Sequence, residues 1–427
     1  MRVVVHDYSG HLFQVELSRE LARRGHAVLH VHCPSYLTGK GALEPRPDDP
    51  AGFEAVGVEL REPLRKYSLW KRPLQEWEYA KRLVDPVAQF APDVVVSGNT
   101  PILSQALFQR ACRRRGYPFI FWQQDIYTLP MKTLVQQRVV VAGRFLGSTL
   151  VALEAALLRR SAAVVTISED FVPILREWRV PAERLFVIEN WAPIGELPVR
   201  PRENAWAREH GLVGKRVLLY SGTLGLKHDP SLLVSLARHF RDVEDVRVVV
   251  VTGGYGAAYL RRAALEHELE NLVLLDFQPY ERLPEVLGAA EILLVILEPQ
   301  ASVFSVPSKV LTYLCAGRPV VASIPGENLA ARLLQANRIG VVTPPADHAA
   351  FAAAVERLLD DPRAAADLAR RARDYAEAAF DVGRVADRFE HVIAMARGSR
   401  LPVRAQLSRV RVAAAHGEDR ARVAERK

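Results

Sequence analysis

Residues 304–323 read FSVPSKVLTYLCAGRPVVAS, and this stretch sets the pattern that the rest of the chain repeats. Pro307 and Ser308 predict the start of a helix, because a serine side chain can accept a hydrogen bond from a free N–H of the first turn. The apolar residues that follow share one helix face, and Gly317 predicts the C-terminal cap, where a positive φ carries no Cβ strain. Residues 319–323 then predict a buried parallel strand. The stretch therefore predicts a helix and a strand of an α/β fold.

The start of this helix also suggests chemistry. Free N–H groups and the positive end of the helix dipole attract anions, and Lys309 adds a full charge at the same place. On spacing alone, a capped helix with a solvated lysine explains these residues better. The anion-site interpretation therefore depends on what the neighbouring strands carry.

The length and composition favour two α/β domains. A chain of 427 residues with 49% hydrophobic residues can bury a large core, and two domains are the better expectation at this length. The net charge of +8 and the pI near 9.5 favour anionic partners such as nucleotides and phospholipid headgroups. Nucleic acid is not expected, because the sequence carries no RNP, zinc-finger or helix-turn-helix motif.

The cysteines and the apolar runs predict a cytoplasmic protein. Cys33, Cys112 and Cys315 are far apart, and each lies in or beside an apolar run, which indicates reduced, buried thiols. The apolar residues after Met1 are too few for a secretory signal, and no run of about eighteen apolar residues predicts a membrane span. We expect a protein that is soluble or peripheral on the inner face of the cell membrane.

Strands and helices alternate in two halves of the chain, which is typical of parallel sheets. In the first half, strands are predicted at 3–6, 27–32, 93–97, 117–122, 163–167 and 186–189, and residues 33–92 are less regular. After a linker that contains prolines, strands are predicted at 216–220, 246–252, 272–275, 292–297, 319–323 and 340–342. One helix is predicted over 346–380 and another over 384–397. We therefore predict a first domain over 1–194, a linker over 195–204 and a second domain over 205–380. A C-terminal helix over 381–397 is expected to cross back to the first domain, and a basic tail follows over 398–427.

Bases and aromatic side chains are mixed in residues 65–79, and two interpretations of this stretch remain open. The residues concerned are Arg65, Lys66, Tyr67, Trp70, Lys71, Arg72, Leu74, Trp77 and Tyr79. They fit an ordinary surface helix with long cationic side chains. They fit equally well a patch that places aromatic rings at headgroup depth and bases on anionic lipid. The arginine-rich tail is expected to be mobile or to contact the same membrane surface.

Three strand ends of the second half carry glycine or lysine. These are residues 220–227 (YSGTLGLK), 252–256 (TGGYG) and 304–309 (FSVPSK). Parallel strands end at one edge of a sheet, where ligands bind. Glycine lets backbone N–H groups approach a diphosphate, and lysine supplies charge. Each stretch alone is more often a tight turn, but together they predict a phosphate site.

Two similar α/β halves joined by a linker imply a cleft between them, and Asp125, which follows a predicted strand of the first half, would face it. There it could orient an acceptor hydroxyl or accept its proton, although a turn or helix-capping role also fits. Asp7 has the same two interpretations, with the turn role favoured. Metal binding is not expected, because the remaining candidates fit packed or solvated side chains better; these are His6, His11, His228, Asp48-Asp49 and Asp360-Asp361.

An ordered set of motifs resembles a known family. The motifs are residues 24–28 (RGHAV), 165–168 (VTIS), 187–191 (VIENW), 220–223 (YSGT), 252–256 (TGGYG), 277–284 (FQPYERLP), 306–309 (VPSK) and 316–321 (AGRPVV). The set resembles the retaining glycosyltransferases of family 4, which have the GT-B fold, and it extends from Val3 to about Phe380. The VPSK form resembles the branch that includes colanic-acid and O-antigen transferases.

The resemblance implies two Rossmann-like domains whose parallel sheets face a central cleft. The first domain would hold the acceptor, and the second would hold a UDP- or GDP-linked sugar without a metal or another cofactor. The implied diphosphate contacts are Gly222, Lys227, Ser308 and Lys309, and the implied base contacts are Gln278 and Pro279. Further donor contacts are implied at Thr223, Gly254, Ser305, Val306 and Thr312, and acceptor contacts at Asp7, Tyr8, Gly10, Gln124 and Asp125. Catalysis would rest on Lys227, Lys309 and Asp125.

The sequence departs from the family pattern in four features. The usual Glu-x7-Glu pair falls on Phe304 and Thr312, so both carboxylates are missing. Thr223 stands where arginine is common, Lys227 comes one residue early, and Gln124 replaces the histidine of a His-Asp pair. The sugar and the base are therefore left open.

The resemblance implies transfer of a sugar to a lipid-linked or polysaccharide acceptor in exopolysaccharide or lipopolysaccharide biosynthesis. Two alternatives remain. A nucleotide-sugar epimerase would share the fold but would be expected to carry acid and base side chains in the cleft. A scaffold that binds without turnover is suggested by the missing glutamates.

Overall fold

A computed structural model describes residues 1–36, 40–64, 68, 70–126, 128–129, 140–225, 228–253, 255–299 and 306–398, with only the backbone of 140–146 and 255. Several predicted features lie outside the described residues. They are Lys227, Gly254, Phe304, Ser305, residues 65–67 and 69 of the basic and aromatic stretch, and the tail from residue 399.

The first half forms one parallel sheet of seven strands in the order β3-β2-β1-β4-β5-β6-β7. Its strands are β1 (Arg2–Asp7), β2 (Ala27–His32), β3 (Phe53–Gly57), β4 (Val94–Gly98), β5 (Phe119–Gln123), β6 (Ala163–Thr166) and β7 (Leu185–Val187). The helices that cover it are α1 (Leu12–Arg23), α2 (Lys71–Phe90), α3 (Ile102–Arg114), α4 (Val140–Arg160) and α5 (Phe171–Glu177). Most of these strands are apolar on both faces because helices cover both sides of the sheet.

The second half forms a parallel sheet of six strands in the order β10-β9-β8-β11-β12-β13. Its strands are β8 (Arg216–Ser221), β9 (Val246–Val251), β10 (Leu272–Leu275), β11 (Ile292–Ile296), β12 (Val320–Ser323) and β13 (Val341–Thr343). Its helices are α6 (Ala205–Glu209), α7 (Ser231–His239), α8 (Tyr255–Glu266), α9 (Leu283–Gly288), α10 (Lys309–Cys315), α11 (Leu329–Ala336), α12 (His348–Asp360) and α13 (Pro362–Ala379). The last described helix is α14 (Val382–Ala396).

Both sheets reverse their strand order at one point, and this point positions the site. The reversal lies between β1 and β4 in the first sheet and between β8 and β11 in the second. Loops leave the two neighbouring strands in opposite directions there, so a crevice opens at the carboxyl edge. The predicted fold of two Rossmann-like domains with parallel sheets is confirmed.

Two predicted segments differ from the structure. The stretch 33–92, which was predicted to be less regular, contains the strand β3. This strand has a weak apolar pattern because it lies at the edge of the sheet, where its residues are partly buried or exposed. The single helix predicted over 346–380 is two helices that meet at Asp361. Pro362 cannot continue a preceding helix, whereas it suits the first turn of α13, where the Asp361 side chain accepts from Ala364 N at 3.0 Å.

Helix α14 packs against the first domain, although it follows the second in sequence. The ring of Phe389 lies 4.6 Å from that of Trp122 in β5, between centroids. Arg24, just after α1, pairs with Asp387 at 2.6 Å and with Glu390 at 2.8 Å. The two domains are therefore joined by α14 as well as by the linker. Across the described ranges, no helix combines the length and apolar character that crossing a bilayer requires.

Candidate active site

A cavity of about 670 Å³ lies between the two sheets. Loops at the carboxyl edges of both sheets line it, as the strand order requires. Many of the predicted contacts lie on its wall, namely Gln124 and Asp125 of the first domain and Gly222, Thr223, Gln278, Pro279, Val306, Ser308, Lys309 and Thr312 of the second.

Lys309 is the most unusual side chain on this wall. Its Nζ is buried and has no hydrogen-bond partner among the described residues. The ammonium lies 3.6 Å from the centroid of the Tyr220 ring, whose face attracts cations. Burial away from water lowers the pKa of Lys309 well below its usual range. A buried cation without an anion in contact is costly, and an anionic ligand would remove that cost.

Gly222 makes room for this lysine. Its φ is +138°, a region that favours glycine. A Cβ placed on Gly222 would lie 3.1 Å from the Nζ of Lys309 and 3.2 Å from its Cε. The preceding residue is fixed by Tyr313, whose hydroxyl accepts from Ser221 N at 2.8 Å and donates to Ser221 O at 3.0 Å. The glycine therefore sets how closely the cation approaches the backbone at the end of β8.

The start of α10 differs from the prediction. Ser308 precedes the helix but has helical dihedral angles, φ −57° and ψ −24°, and its side chain makes no capping hydrogen bond. An N-cap serine needs extended geometry for its oxygen to face the following N–H groups, so the predicted cap is wrong. Thr312, one turn later, donates from its hydroxyl to the carbonyl of Lys309 at 2.9 Å. Gly317 has the predicted positive φ, +61°.

The turn after β10 forms another part of the wall. The side-chain oxygen of Gln278 accepts from Trp206 Nε1 at 2.9 Å, and its nitrogen donates to the carbonyl of Asp276 at 2.9 Å. Both ends of the amide are therefore engaged by protein groups. Gln278 and Pro279 shape this region of the cavity through their position rather than through a free amide.

Glu196 joins the domains behind the cavity. Its carboxylate pairs with Arg46 of the first domain at 2.7 Å and accepts from the hydroxyl of Tyr280, which lines the cavity in the second domain. Burial and the adjacent carboxylate raise the pKa of Tyr280, which keeps the phenol protonated. This contact spans the first domain, the linker and the second domain.

The loop after β5 carries the predicted acceptor contacts. Gln124 exchanges hydrogen bonds with Asn190, at 2.7 Å and 3.3 Å, so the two amides fix each other. Asp125 follows on the cavity wall. Glu154 of α4 fixes this loop and is 1% exposed. Its carboxylate accepts from Gln123 Nε2 at 2.9 Å and from Thr128 N at 3.2 Å.

Replacing Glu154 by glutamine is expected to loosen this loop. A glutamine amide cannot accept from all the donors that surround the carboxylate, and each buried donor left without an acceptor costs about 1–3 kcal/mol. We expect a lower melting temperature and, for the acceptor and donor that the family resemblance implies, a several-fold rise in the acceptor KM with a smaller change for the donor. Thermal unfolding and steady-state kinetics measure both effects. Glu177→Gln at the exposed end of α5 is the control, and an unchanged acceptor KM would contradict the positioning role.

Three predicted acceptor contacts do not lie on the cavity wall. Asp7 is fully buried and accepts from Ser9 N at 3.0 Å, from His11 N and from Asn99 Nδ2 at 3.2 Å. Burial raises the pKa of its carboxyl. The carboxylate therefore shapes the turn before α1, which is the role that the residue pattern favoured.

Tyr8 and Gly10 serve the same turn. Tyr8 is 2% exposed, and its ring packs against that of Tyr79 at 4.8 Å between centroids. Gly10 has a φ of +73°, and a Cβ there would meet Leu43 at 2.9 Å. The structure does not bring these two residues to the surface of the cavity.

Other first-domain residues line the cavity that sequence reasoning missed. Lys40 donates from Nζ to the carbonyls of Cys33 at 3.0 Å and Ser9 at 3.3 Å. Trp191 donates from Nε1 to Glu16 at 2.6 Å, and burial raises the pKa of Glu16 to about 7. Lys40 lies in an irregular stretch that gave no periodic signal. Glu154, which holds the loop after β5, was also missed. Its signal in the sequence was that it is the single acid within the apolar run 150–158.

Two of the residues considered as metal ligands, Asp49 and His6, have structural partners. Within the described ranges, no group of three or more His, Cys, Asp or Glu side chains has metal-binding geometry. Asp49 was predicted in a solvated turn, but it pairs at 2.5 Å with Arg19, which is almost fully buried. His6 is buried between Ser97, at 2.8 Å, and the hydroxyl of Tyr79, at 2.9 Å.

Two family models match the chain in order. A glycosyl transferase 4-like domain matches residues 13–191, and a glycosyl transferases group 1 domain matches residues 203–376. The first model begins after β1 and includes β2 to β7, and the second includes all six strands of the second sheet and ends before α14.

Curated relatives are similar over part of their length. WbjE of Pseudomonas aeruginosa, named as a glycosyltransferase, is 25% identical over 270 residues, which cover 63% of this chain and 66% of that protein. WcaI of Escherichia coli (strain K12), named as a colanic acid biosynthesis glycosyl transferase, is 27% identical over 230 residues, which cover 53% of this chain and 55% of that protein. The matched regions thus span between about half and two thirds of these relatives.

Solved structures share the fold at low identity. HepE of Anabaena in complex with UDP-glucose superposes with a TM-score of 0.66 at 15% identity, covering 92% of this chain and 99% of that chain. Sucrose-phosphate synthase from Thermosynechococcus elongatus gives 0.66 at 17% identity, covering 92% and 98%. WaaG, a glycosyltransferase involved in lipopolysaccharide biosynthesis, gives 0.62 at 16% identity, covering 92% and 99%.

Proposed function

This chain belongs to the glycosyltransferases whose two domain models it matches, and we propose on that basis that it transfers a sugar from a nucleotide-sugar donor, with retention of anomeric configuration. The acceptor is a lipid-linked sugar or a polysaccharide of cell-surface glycan biosynthesis. A relative named for colanic acid biosynthesis and a fold neighbour from lipopolysaccharide biosynthesis support this class of acceptor. A fold neighbour bound to UDP-glucose supports a nucleotide-sugar donor.

One observation carries the donor assignment. The ammonium of Lys309 is buried at the end of β8 against Gly222, without a hydrogen-bond partner among the described residues. A diphosphate at this place would pair with the ammonium and satisfy its donors, and charge-assisted hydrogen bonds of this kind are among the strong ones. The side chain already lies against the ring of Tyr220 before the ligand arrives.

The chemistry follows from this arrangement. The bond between the anomeric carbon and the diphosphate oxygen breaks, and negative charge grows on the departing diphosphate. Lys309 stabilises that charge, and preorganised groups of this kind contribute on the order of a hundredfold in rate. The acceptor hydroxyl forms the new bond on the same face of the sugar and releases its proton to the departing phosphate oxygen or to Asp125.

The place of action is part of the proposal. A lipid-linked acceptor would bring the enzyme to the cytoplasmic face of the cell membrane as a peripheral protein. The basic composition of the chain, with a net charge of +8, favours such a surface.

A panel of UDP- and GDP-linked sugars tests the proposal. Release of free nucleotide is followed for wild type and for Asp125→Asn, with and without a membrane extract that supplies lipid-linked acceptors. We expect release from one donor, stimulated by the extract and reduced in the variant. Nucleotide binding without release from any donor, even with the extract, would show a scaffold. Interconversion of the donor sugar without transfer would show an epimerase.

A further inference from the structure

Helix α2 exposes a line of large apolar side chains. Trp70, which immediately precedes the helix, is 85% exposed, Leu74 is 67% exposed and Trp77 is 50% exposed. We call these three residues the α2 stripe. Steps of four and three residues place them on one side of the helix, over a length of about 10 Å. A contiguous apolar surface made of two tryptophans and a leucine is unfavourable in water, which indicates that the stripe contacts a partner.

The opposite face of α2 holds the helix in the domain. Tyr79 and Leu83 are fully buried, and the hydroxyl of Tyr79 forms a hydrogen bond with His6 Nε2 at 2.9 Å. The headgroup-patch interpretation of residues 65–79 included Tyr79, and for this residue it is wrong. Tyr79 lies two residues after Trp77, which turns it by about 200° to the other side of the helix. The stripe is therefore separate from the residues that fold the helix onto the sheet.

Charged side chains surround the stripe. The described residues between Arg61 and Arg82 include five bases and three acids. Four ion pairs join them, Lys71–Glu62 at 3.1 Å, Arg72–Glu76 at 2.8 Å, Arg82–Glu78 at 3.2 Å and Arg61–Glu78 at 3.9 Å. The ammonium of Lys81 lies 4.5 Å from the centroid of the Trp77 ring. The rim is thus weakly positive, and its long cationic side chains can keep their charged ends in a polar layer while their stems cover apolar surface.

The direction of α2 places the stripe near the acceptor side of the cleft. At the amino end of β1, the guanidinium of Arg2 donates from Nε to the carbonyl of Phe90, at the end of α2, at 2.6 Å. At the carboxyl end of β1, Tyr8 packs against Tyr79 in the middle of α2. The helix therefore runs antiparallel to β1. The turns that carry the stripe lie at and beyond the carboxyl edge of the sheet, where the cavity opens.

We propose that the α2 stripe inserts into the headgroup layer of a phospholipid bilayer and seats the acceptor side of the cleft on the membrane. This inference rests on the proposed function in one respect, the lipid-linked acceptor. Tryptophan suits this layer, because its ring is apolar and its N–H remains hydrated. A protein partner fits less well, because the stripe exposes on the order of 400 Å², whereas a stable interface buries about 800 Å² on each side.

Sedimentation with vesicles tests the inference. Wild type and the triple variant Trp70→Ser, Leu74→Ser, Trp77→Ser are mixed with phosphatidylcholine vesicles that contain or lack phosphatidylglycerol. The matched control replaces three exposed apolar residues of the second domain, Val213, Val243 and Leu265, by serine. We expect the partition coefficient of the stripe variant to fall by about tenfold or more, since apolar burial supplies most of the binding. The control variant should bind as wild type does.

Two further readouts separate insertion from adsorption by charge alone. Insertion predicts that tryptophan emission of wild type shifts to the blue on vesicle binding and that this shift disappears in the stripe variant. It also predicts that raising salt from about 0.1 M to about 1 M weakens binding less than the triple substitution does, because screening acts on charges alone. A greater loss from salt than from the substitution would overturn the inference.

Two more results would overturn it. One is a stripe variant that sediments with vesicles as wild type does. Another is a wild type that self-associates through the stripe in sedimentation velocity and does not bind vesicles. Vesicle binding does not require turnover, and the donor panel includes an arm that measures nucleotide release without the membrane extract. A failed donor panel and a failed membrane test can therefore be told apart.

Discussion

Replacing Lys309 by methionine is expected to lower kcat/KM for the donor by on the order of a hundredfold or more. Methionine keeps the length and apolar contacts of the side chain beside Tyr220 but removes the only charge at the end of β8 that the described residues provide within contact of Gly222. The departing diphosphate would then develop its charge against a neutral wall. Initial rates of nucleotide release, measured as a function of donor concentration, give the effect.

The same substitution should stabilise the empty protein. In the empty cavity the ammonium is buried without a hydrogen-bond partner among the described residues, so the charge opposes folding. Its pKa is lowered by burial, so the folded state releases this proton more readily than the unfolded chain does. The free energy of unfolding therefore rises with pH between the lowered pKa and the ordinary lysine value of about 10.4, and the methionine variant should lack that rise.

Donor binding should depend on pH with the matching sign. A bound diphosphate favours the charged lysine and raises its pKa, so binding is strongest below the lowered pKa and weakens as pH rises above it. Nucleotide titrations over a pH series measure this slope. Lys215→Met is the control, because its ammonium donates to the carbonyl of Glu244 at the surface of the same domain. Equal donor affinity and equal kinetics in Lys309→Met and wild type would show that the diphosphate binds elsewhere.

Replacing Phe389 by alanine is expected to destabilise the protein by about 3–5 kcal/mol. The ring is fully buried and lies 4.6 Å from that of Trp122, which stacks on Trp191 at 6.2 Å. Removing it leaves a cavity between α14 and β5 that the large neighbouring rings cannot fill. We expect the melting temperature of the first domain to fall by about 10 °C and protease cleavage near α14 to accelerate.

The control for this variant is on the same helix. Met395 is 49% exposed, so Met395→Ala should change stability by less than about 0.5 kcal/mol. If both variants have the same melting temperature as wild type, α14 does not contribute to the stability of the first domain. Trp191 lines the active-site cavity, so the Phe389 variant should also show a weaker acceptor interaction at temperatures where it is still folded.

Much of the fold follows from local patterns. Runs such as Val3–Val5 and Val248–Val251 are continuous and apolar, which indicates strands covered on both faces, and every residue in these two runs is 0–2% exposed. The break between α12 and α13 was also encoded, in Asp361 and Pro362, but the alanine-rich periodicity on both sides obscured it. The edge strand β3 gave a weak pattern because it is only partly buried.

The candidate site was predicted in outline and not in detail. The motifs placed Gly222 and Lys309 at strand ends of one sheet, and the cavity contains both. They did not show that the ammonium lies against the glycine, because that approach depends on how β8 and α10 pack. From the sequence, Asp7 and Asp125 had the same two interpretations, with the turn role favoured only for Asp7, and both lie at or near strand ends of the first sheet. Only the packing shows that one is buried beneath a turn and the other faces the cavity.

The sequence by itself determined the α/β class, the division into two domains and the family, because strand runs, helix caps and motifs are local and keep their order along the chain. The tertiary structure decided which side chains meet. It set the contacts, such as Phe389 on Trp122, by which α14 packs on a sheet that ended some two hundred residues earlier, from Val187 to Val382. It also turned Tyr79 inward and Trp77 outward, and left Lys309 without a partner among the described residues. These outcomes depend on contacts between distant segments, which no local pattern records.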